Sequence, residues 1–395
     1  MTSNKNIIIV ILLLILLLQI FSKYNDITEY FSPIKVDPSN RQILILYTGG
    51  TIGMKETKTG NKPAKGFLEK KINNLLNNTD KKYISNFHIK EYNPLLDSSN
   101  MDFKDWNKIL HDIYSNYNDY DAFIVVHGTD TLSYTASALS FGLENLSKTV
   151  VVTGSQIPMQ KIKNDGGLNM ISSLIVASNY NIPEVMVVFD NNIFRGNRSQ
   201  KINSTSLNAF DSPHMEPIGG FGYQELPIWN IPVLKQQSIG PLSIQYYNEN
   251  IQVYNMFLTP GMGFNDVKII VQANDKIKGI IIRTYGIGDA PVDNDKFIDV
   301  LKFLNEKDIP IMQVSQTNSG HIDTGDYDTG SKLLKYKVVS SKDMTIEAAY
   351  TKFLYLLNKY NNTNNFYNDT KSVRKNLSKE LRGELNNSVT FYEVN

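Results

Sequence analysis

Short apolar runs rich in β-branched residues alternate with longer segments of helical spacing from residue 42 onward. The apolar runs cover residues 43–47, 123–126, 149–152, 184–189, 251–258, 278–283 and 310–314. Segments long enough for helices lie at residues 103–117, 131–145, 168–179, 296–307 and 345–360. Continuous apolar strands that alternate with helices are typical of a parallel sheet covered by helices on both faces. The pattern therefore predicts an α/β fold with doubly wound parallel sheets.

A concentration of proline and glycine interrupts this alternation. Four prolines and four glycines fall within residues 217–241, and a helix does not survive that density of breakers. We place the domain boundary at about residues 226–240. This division predicts a larger N-terminal domain over residues 41–230 and a smaller C-terminal domain over residues 241–360. The length of 395 residues also favours two domains.

The N-terminal residues 7–21, IIIVILLLILLLQIF, are apolar apart from Gln19. This run is shorter than the ~20 residues that cross a bilayer, and it lies near the upper length of the apolar part of a signal peptide. No small-x-small cleavage site follows, so a cleaved signal and a retained membrane anchor both stay open. We therefore expect residues 1–40 to form a leader and linker that direct the protein to the secretory pathway or the membrane, with a cytoplasmic location as the alternative.

The C-terminal residues 361–395 are rich in Asn, Lys, Ser and Tyr and show no periodicity. Such polar segments bury too little apolar surface to offset the loss of chain entropy on folding. The composition predicts a low-complexity tail that is disordered or loosely docked.

Charge and residue usage exclude several classes of function. Lys and Arg number 40 against 39 Asp and Glu, which leaves no basic surplus for nucleic acid. The absence of cysteine excludes disulfides, thiol nucleophiles and cysteine-ligated metals. The five histidines have no metal-ligand spacing, and the acidic cluster at residues 323–328 lacks the calcium-loop pattern. We therefore predict no metal site.

Candidate chemistry lies where the predicted strands end, because open α/β sheets bind ligands beyond the carboxyl ends of their strands. Five such segments carry hydroxyls, glycines, a carboxylate or a lysine: TGGTIG (48–53), NPLLDSSNM (93–101), HGTDT (127–131), TGSQIP (153–158) and FRGNRSQK (194–201). They should meet on one edge of the N-terminal domain.

The glycine turn at residues 48–53 has neither dinucleotide-loop nor phosphate-loop spacing. A tight turn explains its glycines, but glycines also let backbone N–H groups point at a developing oxyanion. In the HGTDT segment, one residue among Thr129, Asp130 and Thr131 is enough to cap the helix that follows. The others could form a hydroxyl–carboxylate pair, and Lys201 could complete a base system with them.

Several motifs together resemble the bacterial-type L-asparaginases of type I. These are TGGTIGM (48–54), DSS (97–99), HGTDT (127–131), TGSQIP (153–158), RGNRSQK (195–201), TPG (259–261), RTYGIGDAP (283–291) and YDTG (327–330). The resemblance covers about residues 42–360 in the order of the family. It implies an asparaginase-like fold and an amidohydrolase that splits L-asparagine into L-aspartate and ammonia through a β-aspartyl enzyme, with no cofactor.

The resemblance also implies a role for individual residues. Thr51 matches the nucleophile, and a second set consists of Thr129, Asp130 and Lys201. The substrate's α-carboxylate and α-amino groups would be bound by a wider group that overlaps this set: Asp97, Ser98, Ser99, Thr129 and Asp130. Members of the family usually form dimers or tetramers, so a homodimer or homotetramer is expected.

One position departs from the family. Many members have a tyrosine in the loop after the nucleophile, where this chain has Asn61, and an amide cannot relay the proton of the nucleophile as a phenol does. In some type I relatives a tyrosine of the C-terminal domain takes that role, and Tyr327 matches its motif. We expect Tyr327 to contact Thr51 across the domain boundary or across a subunit interface.

Two other functions are compatible with the same motifs. Asn61 and the Asn-rich insertions permit an amino-acid-binding protein of asparaginase fold that does not turn over substrate. The related amidotransferase subunit that acts on misacylated tRNA would need an RNA-binding surface, which the near-neutral charge does not supply.

Overall fold

The computed structural model describes residues 33–58, 60–77, 81–235, 240–322, 328–360 and 366–386. The apolar segment at residues 7–21 lies outside these ranges. Among the residues that are described, no helix combines the length and the apolar character needed to cross a membrane.

The described residues form strands and helices in alternation. The strands are β1 (Ile34–Lys35), β2 (Gln42–Gly49), β3 (Met54–Thr57), β4 (Gly60–Pro63), β5 (Asn86–Leu96), β6 (Ala122–Val126), β7 (Leu143–Glu144), β8 (Thr149–Thr153), β9 (Tyr180–Asn181), β10 (Val185–Phe189), β11 (Asn192–Arg195), β12 (Gln200–Lys201), β13 (Phe210–Asp211), β14 (Gly219–Gly220), β15 (Ile228–Trp229), β16 (Ser243–Ile244), β17 (Gln252–Phe257), β18 (Ile277–Thr284), β19 (Ile311–Ser315) and β20 (Val338–Ser340). The helices are α1 (Phe67–Leu76), α2 (Phe103–Ser115), α3 (Leu132–Gly142), α4 (Gly166–Asn179), α5 (Asn265–Ala273), α6 (Asp295–Glu306), α7 (Asp328–Lys335), α8 (Ile346–Tyr360) and α9 (Phe366–Leu377).

The larger sheet has eight strands in the order β15-β14-β11-β10-β8-β6-β2-β5. The five strands from β10 to β5 are parallel, and three antiparallel strands extend one edge. Residues of β2 alternate between the two faces. Ile43, Ile45 and Tyr47 pack in the cluster that contains α1 and α4, and Leu44 and Leu46 pack in the cluster that contains α2 and α3. Helices therefore cover both faces, which confirms the predicted doubly wound α/β class.

The chain order of this sheet reverses between β2 and β6. From β2 the chain crosses to β5 on one side, and from β6 it continues to β8 and β10 on the other. Connections on the two sides of such a reversal diverge and leave a crevice at the carboxyl ends of the two strands. The segments after β2 and β6 therefore border the crevice in which a ligand is expected.

The smaller sheet has four parallel strands in the order β17-β18-β19-β20. One face packs against α5 and α6, and the other packs against α8. Helix α8 also contacts α3 of the larger sheet, so one apolar core continues between the two sheets. Gly279 of β18 permits this packing, because a β-carbon there would lie 2.6 Å from the Phe353 ring of α8.

Among the elements of the N-terminal half that the sequence patterns missed are strand β5 and helix α1. Strand β5 is an edge strand whose residues are mostly exposed or half-buried, so it lacks the apolar run that marks a central strand. Helix α1 lies in an Asn- and Lys-rich stretch that reads as compositional bias. It buries Leu68, Ile72 and Leu76, which recur at the four-residue spacing of one helical face.

The expectation of a disordered or loosely docked tail is wrong for residues 366–386. Helix α9 packs against α8, and Val373, Leu377 and Leu385 are buried. The side chain of Glu384 is fully buried against Lys352 of α8. Composition could not predict this packing, since the apolar partners and the opposite charge come from other parts of the chain.

Candidate active site

The turns after β2 and β6 meet at the point where the strand order reverses. Gly50 has a φ of +87°, and a β-carbon on it would lie 2.5 Å from Cα of Gly128. Only glycine combines that backbone conformation with that closeness. Thr51 follows directly and begins a short 3₁₀ helix, Thr51–Gly53, with its side chain partly exposed. The Thr51 turn is thus held against the loop that carries Thr129.

The end of β5 joins the same edge through Gly128. A β-carbon on Gly128 would lie 2.5 Å from Ser98 Oγ, and the hydroxyl of Thr131 donates to the Ser98 carbonyl at 2.7 Å. The carboxylate of Asp97 accepts from the backbone N–H of Ser99 at 3.2 Å and caps the 3₁₀ helix Ser98–Asn100. Asp97 and Ser99 are exposed at the edge, whereas Ser98 is buried.

Three of the predicted residues are in direct contact. The ammonium of Lys201 donates to Thr129 Oγ1 at 2.9 Å and to Asp130 Oδ1 at 2.7 Å. Thr129 is buried, and the Lys201 side chain is 19% exposed, whereas that of Asp130 is 63% exposed. Lys201 therefore bridges a buried hydroxyl and a largely exposed carboxylate.

Gln156 is a site residue to which sequence reasoning assigned no role. Its Oε1 accepts from the Thr129 hydroxyl at 3.1 Å, and its Nε2 donates to the Ser206 carbonyl at 3.1 Å. The backbone N–H groups of Gln156 and Ile157 each donate to the Asp165 carboxylate at 2.9 Å. The TGSQIP segment was the available signal, since it ends a strand beside the others. Gln156 orients the Thr129 hydroxyl, and Asp165 holds Gln156.

The buried side chain of His127 is part of a hydrogen-bond chain that ends at the Gly128 carbonyl. Trp106 Nε1 donates to Thr135 Oγ1 at 3.0 Å, so the Thr135 hydroxyl donates onward to His127 Nε2 at 2.9 Å. His127 Nδ1 then donates to the carbonyl of Gly128 at 2.7 Å. Burial lowers the pKa of His127 to about 4, against a smaller opposing effect of the Gly128 carbonyl. His127 is therefore neutral near pH 7 and acts as a structural support for Gly128 and Thr129.

The hairpin of β3 and β4 follows the Thr51 turn and carries Asn61, which is paired in register with Glu56. Glu56 is tied to the neighbouring segment, because Lys161 contacts its carboxylate at 3.1 Å and Gln160 accepts from its backbone N–H at 3.1 Å. Tyr327, the other residue of the predicted proton relay, lies outside the described residues. Over the ranges that are described, no group of three or more His, Cys, Asp or Glu side chains could hold a metal ion.

The chain matches the sequence models of two adjoining family domains. Residues 42–230 match the one described as Asparaginase, N-terminal, and residues 252–367 match the Glutaminase/Asparaginase C-terminal domain. It is similar to L-asparaginase 1 of Escherichia coli (strain K12), with 38% identity over 87% of this chain and 98% of that protein.

Solved structures agree with this assignment. The crystal structure of L-asparaginase I from Vibrio cholerae O1 is similar with a TM-score of 0.76 and 36% identity, over 88% of this chain and all of that one. The thermostable L-asparaginase from Thermococcus kodakarensis also has a TM-score of 0.76, with 26% identity over the same shares. With both domains matched over most of its length, the chain belongs to the asparaginase family.

Proposed function

We propose that this protein hydrolyses L-asparagine to L-aspartate and ammonia. The contact of Lys201 with Thr129 and Asp130 carries the proposal. It places a hydroxyl, a carboxylate and an amine beside the Thr51 turn, at the crevice where this fold binds ligands. Similar proteins are named L-asparaginase over nearly their whole length.

The reaction has two steps that divide one difficult displacement. The Thr51 hydroxyl attacks the side-chain amide carbon, its proton passes to the leaving nitrogen, and ammonia departs from a β-aspartyl ester. Water then adds to the ester, one of its protons passes to Thr51 Oγ1 as the bond to that oxygen breaks, and aspartate leaves with the threonine hydroxyl restored. Backbone N–H groups of the glycine turns can stabilise the oxyanion in both steps, because glycines let the reacting carbonyl approach the backbone.

The residues around Thr51 divide into an amide end and an amino-acid end. Lys201 donates to the Thr129 oxygen, whose own proton is directed to Gln156, and it offsets the charge of Asp130. The exposed oxygen of Asp130 and the carboxylate of Asp97 receive the substrate ammonium, while Ser98 and Ser99 supply donors for its α-carboxylate. A small zwitterion is thus recognised by a few placed groups, which agrees with a net charge of only +1.

The test of hydrolysis is ammonia release from L-asparagine by the wild type and by two variants. Thr51→Ala removes the nucleophile and should lower kcat by roughly 10³-fold or more. Thr51→Ser keeps a hydroxyl and should retain clearly more activity than Thr51→Ala. Equal rates for wild type and Thr51→Ala would favour the alternative, an amino-acid-binding protein without turnover.

Replacing Lys201 by methionine tests the second set of residues. The side-chain length is kept, but Thr129 and Asp130 lose their common donor, so kcat should fall by roughly 10²- to 10⁴-fold. Lys70→Met, on the exposed side of α1, is the matched control and should leave kcat unchanged. A Lys201→Met enzyme with near wild-type kcat would contradict the assigned role.

We further infer that the protein works as a homodimer or homotetramer and that Tyr327 completes the site. Tyr327→Phe should lower kcat strongly, because it removes the proposed proton relay of Thr51, whereas Tyr336→Phe should not.

Mixing Thr51→Ala and Tyr327→Phe subunits shows whether Tyr327 reaches the Thr51 of its own chain or that of another subunit. Recovered activity places Tyr327 across a subunit interface, and no recovery places it across the domain boundary of one chain. Wild-type kcat in Tyr327→Phe would reject the relay.

The segment at residues 7–21 carries a proposal on location. We propose that it directs the protein to the secretory pathway or anchors it in the membrane. The protein isolated from its native cells should either begin after residue 21 or fractionate with membranes. A full-length chain in the cytosolic fraction would reject both forms of the proposal.

A further inference from the structure

The last described residues form hydrogen bonds with the loop at residues 195–198, which leads to Lys201. We call residues 379–386 the C-terminal strap. Inside it, Glu384 accepts from the backbone N–H groups of Leu381 and Arg382 at 3.0 and 2.7 Å. The Glu384 carboxylate also pairs with Lys352 at 2.6 Å, and both side chains are completely buried. A buried ion pair of this kind is strongly position-specific, because either charge alone would be left without a partner.

Two arginines of the active-site loop converge on one carbonyl of the strap. Arg198 Nε donates to the Gly383 carbonyl at 2.9 Å, and Arg195 Nη1 donates to the same oxygen at 3.4 Å. Asn197 Nδ2 donates to the Arg382 carbonyl at 3.1 Å. Three of the four residues 195–198 therefore bind the strap, and each has at most 4% of its surface exposed.

Gly383 fits this place for two reasons. Its φ is +79°, and a β-carbon would lie 2.5 Å from Nη1 of Arg195. Both guanidinium groups also have acidic partners. Arg195 pairs with Glu184, and Arg198 pairs with Asp343 at a distance of 2.9 Å. Asp343 also accepts from the N–H of Asn386 at 2.8 Å. The strap thus supplies further hydrogen-bond acceptors to two arginines that are almost completely buried.

The loop at residues 195–198 ends three residues before Lys201. Within it the Ser199 hydroxyl donates to the Gly196 carbonyl at 2.9 Å and contacts Ser133 of α3 at 3.4 Å. The chain then enters β12, where Lys201 pairs with Phe210 and reaches Thr129. A displacement of residues 195–198 would therefore be transmitted to the amine over a short, hydrogen-bonded stretch. The strap itself lies beyond residue 367, where the match to the family domain ends.

We propose that the C-terminal strap is a positioning element for catalysis: it holds the loop at residues 195–198 so that Lys201 stays on Thr129 and Asp130. The inference rests on the proposed hydrolysis of asparagine. Release of the strap should lower kcat roughly 10- to 100-fold, since small misplacements of a catalytic group have effects of that size. KM should change by a smaller factor than kcat, because the groups that bind the α-carboxylate lie on the end of β5, whereas only the ammonium is bound by Asp130, the partner of Lys201.

The experiment compares strap variants with matched controls at a temperature where all of them are folded. Truncation after Ser378 removes the strap, and truncation after Asn386 removes only the residues that follow it. Glu384→Gln keeps the acceptor for the two N–H groups but leaves Lys352 without its counter-charge. Adding Lys352→Met removes the orphaned charge, so the double variant should recover most of the lost kcat. Gly383→Ala displaces the strap without changing a charge, through the contact with Arg195 and the strain of a positive φ.

Leu304→Ala controls for loss of stability. Leu304 is fully buried in the C-terminal core, away from the strap, and its truncation destabilises by about 2–5 kcal/mol. It should lower the melting temperature while leaving kcat within twofold. Hydrogen exchange of the peptide spanning residues 195–203 supplies a second readout: it should become faster in the strap variants and stay unchanged in Leu304→Ala.

Every result of this experiment either supports or contradicts the proposal that the strap positions Lys201. Lower kcat with faster exchange at residues 195–203, reversed by Lys352→Met in the Glu384→Gln background, supports the proposal. Wild-type kcat in folded strap variants, or an equal loss of kcat in Leu304→Ala, overturns it. If truncation after Ser378 prevents folding, the point variants decide alone. An intact protein that releases no ammonia from asparagine would reject the proposed function, and the exchange rates would still test the contact between the strap and the loop.

Discussion

The close contact of two backbone turns is the constraint on which the site depends. Gly50 after β2 and Gly128 after β6 approach so closely that a β-carbon on either would collide with a neighbouring segment. The approach is possible because β2 and β6 are adjacent parallel strands whose connections leave in opposite directions. It brings the Thr51 turn against the loop of Thr129 and Asp130. This geometry requires glycine at both positions, because a β-carbon would not fit at either.

A chain of hydrogen bonds among buried polar groups ends at Gly128, one of the two glycines of that contact. His127 is buried and neutral, and it passes a chain of hydrogen bonds from Trp106 and Thr135 to the Gly128 carbonyl. Buried polar networks of this kind stabilise a structure only when every member has a partner, because an unpaired group in a low-dielectric core is costly. The network thus fixes the Gly128 carbonyl by hydrogen bonds without adding a charge to the core.

Charges at the rear of the loop follow the same rule. Arg195 and Arg198 are buried. Arg195 pairs with Glu184, the residue before β10, Arg198 pairs with Asp343, and Arg198 also donates to the C-terminal strap. Residues far apart in the chain thereby stabilise one short turn. Helix α8 adds to this connection, since it packs between the two sheets and carries Lys352, the partner of Glu384. The edge of the larger sheet that carries the candidate site is in this way connected to the end of the described chain.

Much of this architecture was readable from the amino-acid order alone. Continuous apolar runs predicted the central strands, because strands buried on both faces need apolar side chains on both. The same runs placed five polar segments at one sheet edge, and the absence of cysteine left a hydroxyl as the candidate nucleophile. The edge strand β5, helix α1 and the packed residues 366–386 were missed, since each relies on partners that local composition does not contain.

Contacts between side chains were decided only by the tertiary structure. Lys201 lies 72 residues from Thr129 in the chain, and Gly383 lies 185 residues from Arg198. Motif spacing names such residues as candidates, but it holds no information on which atoms come within hydrogen-bond distance. That depends on how the strands are ordered and how the loops pack on them. The sequence by itself determined the fold class and the set of chemical groups at the edge, and folding determined which of them touch, because burial and close packing join segments that are remote along the chain.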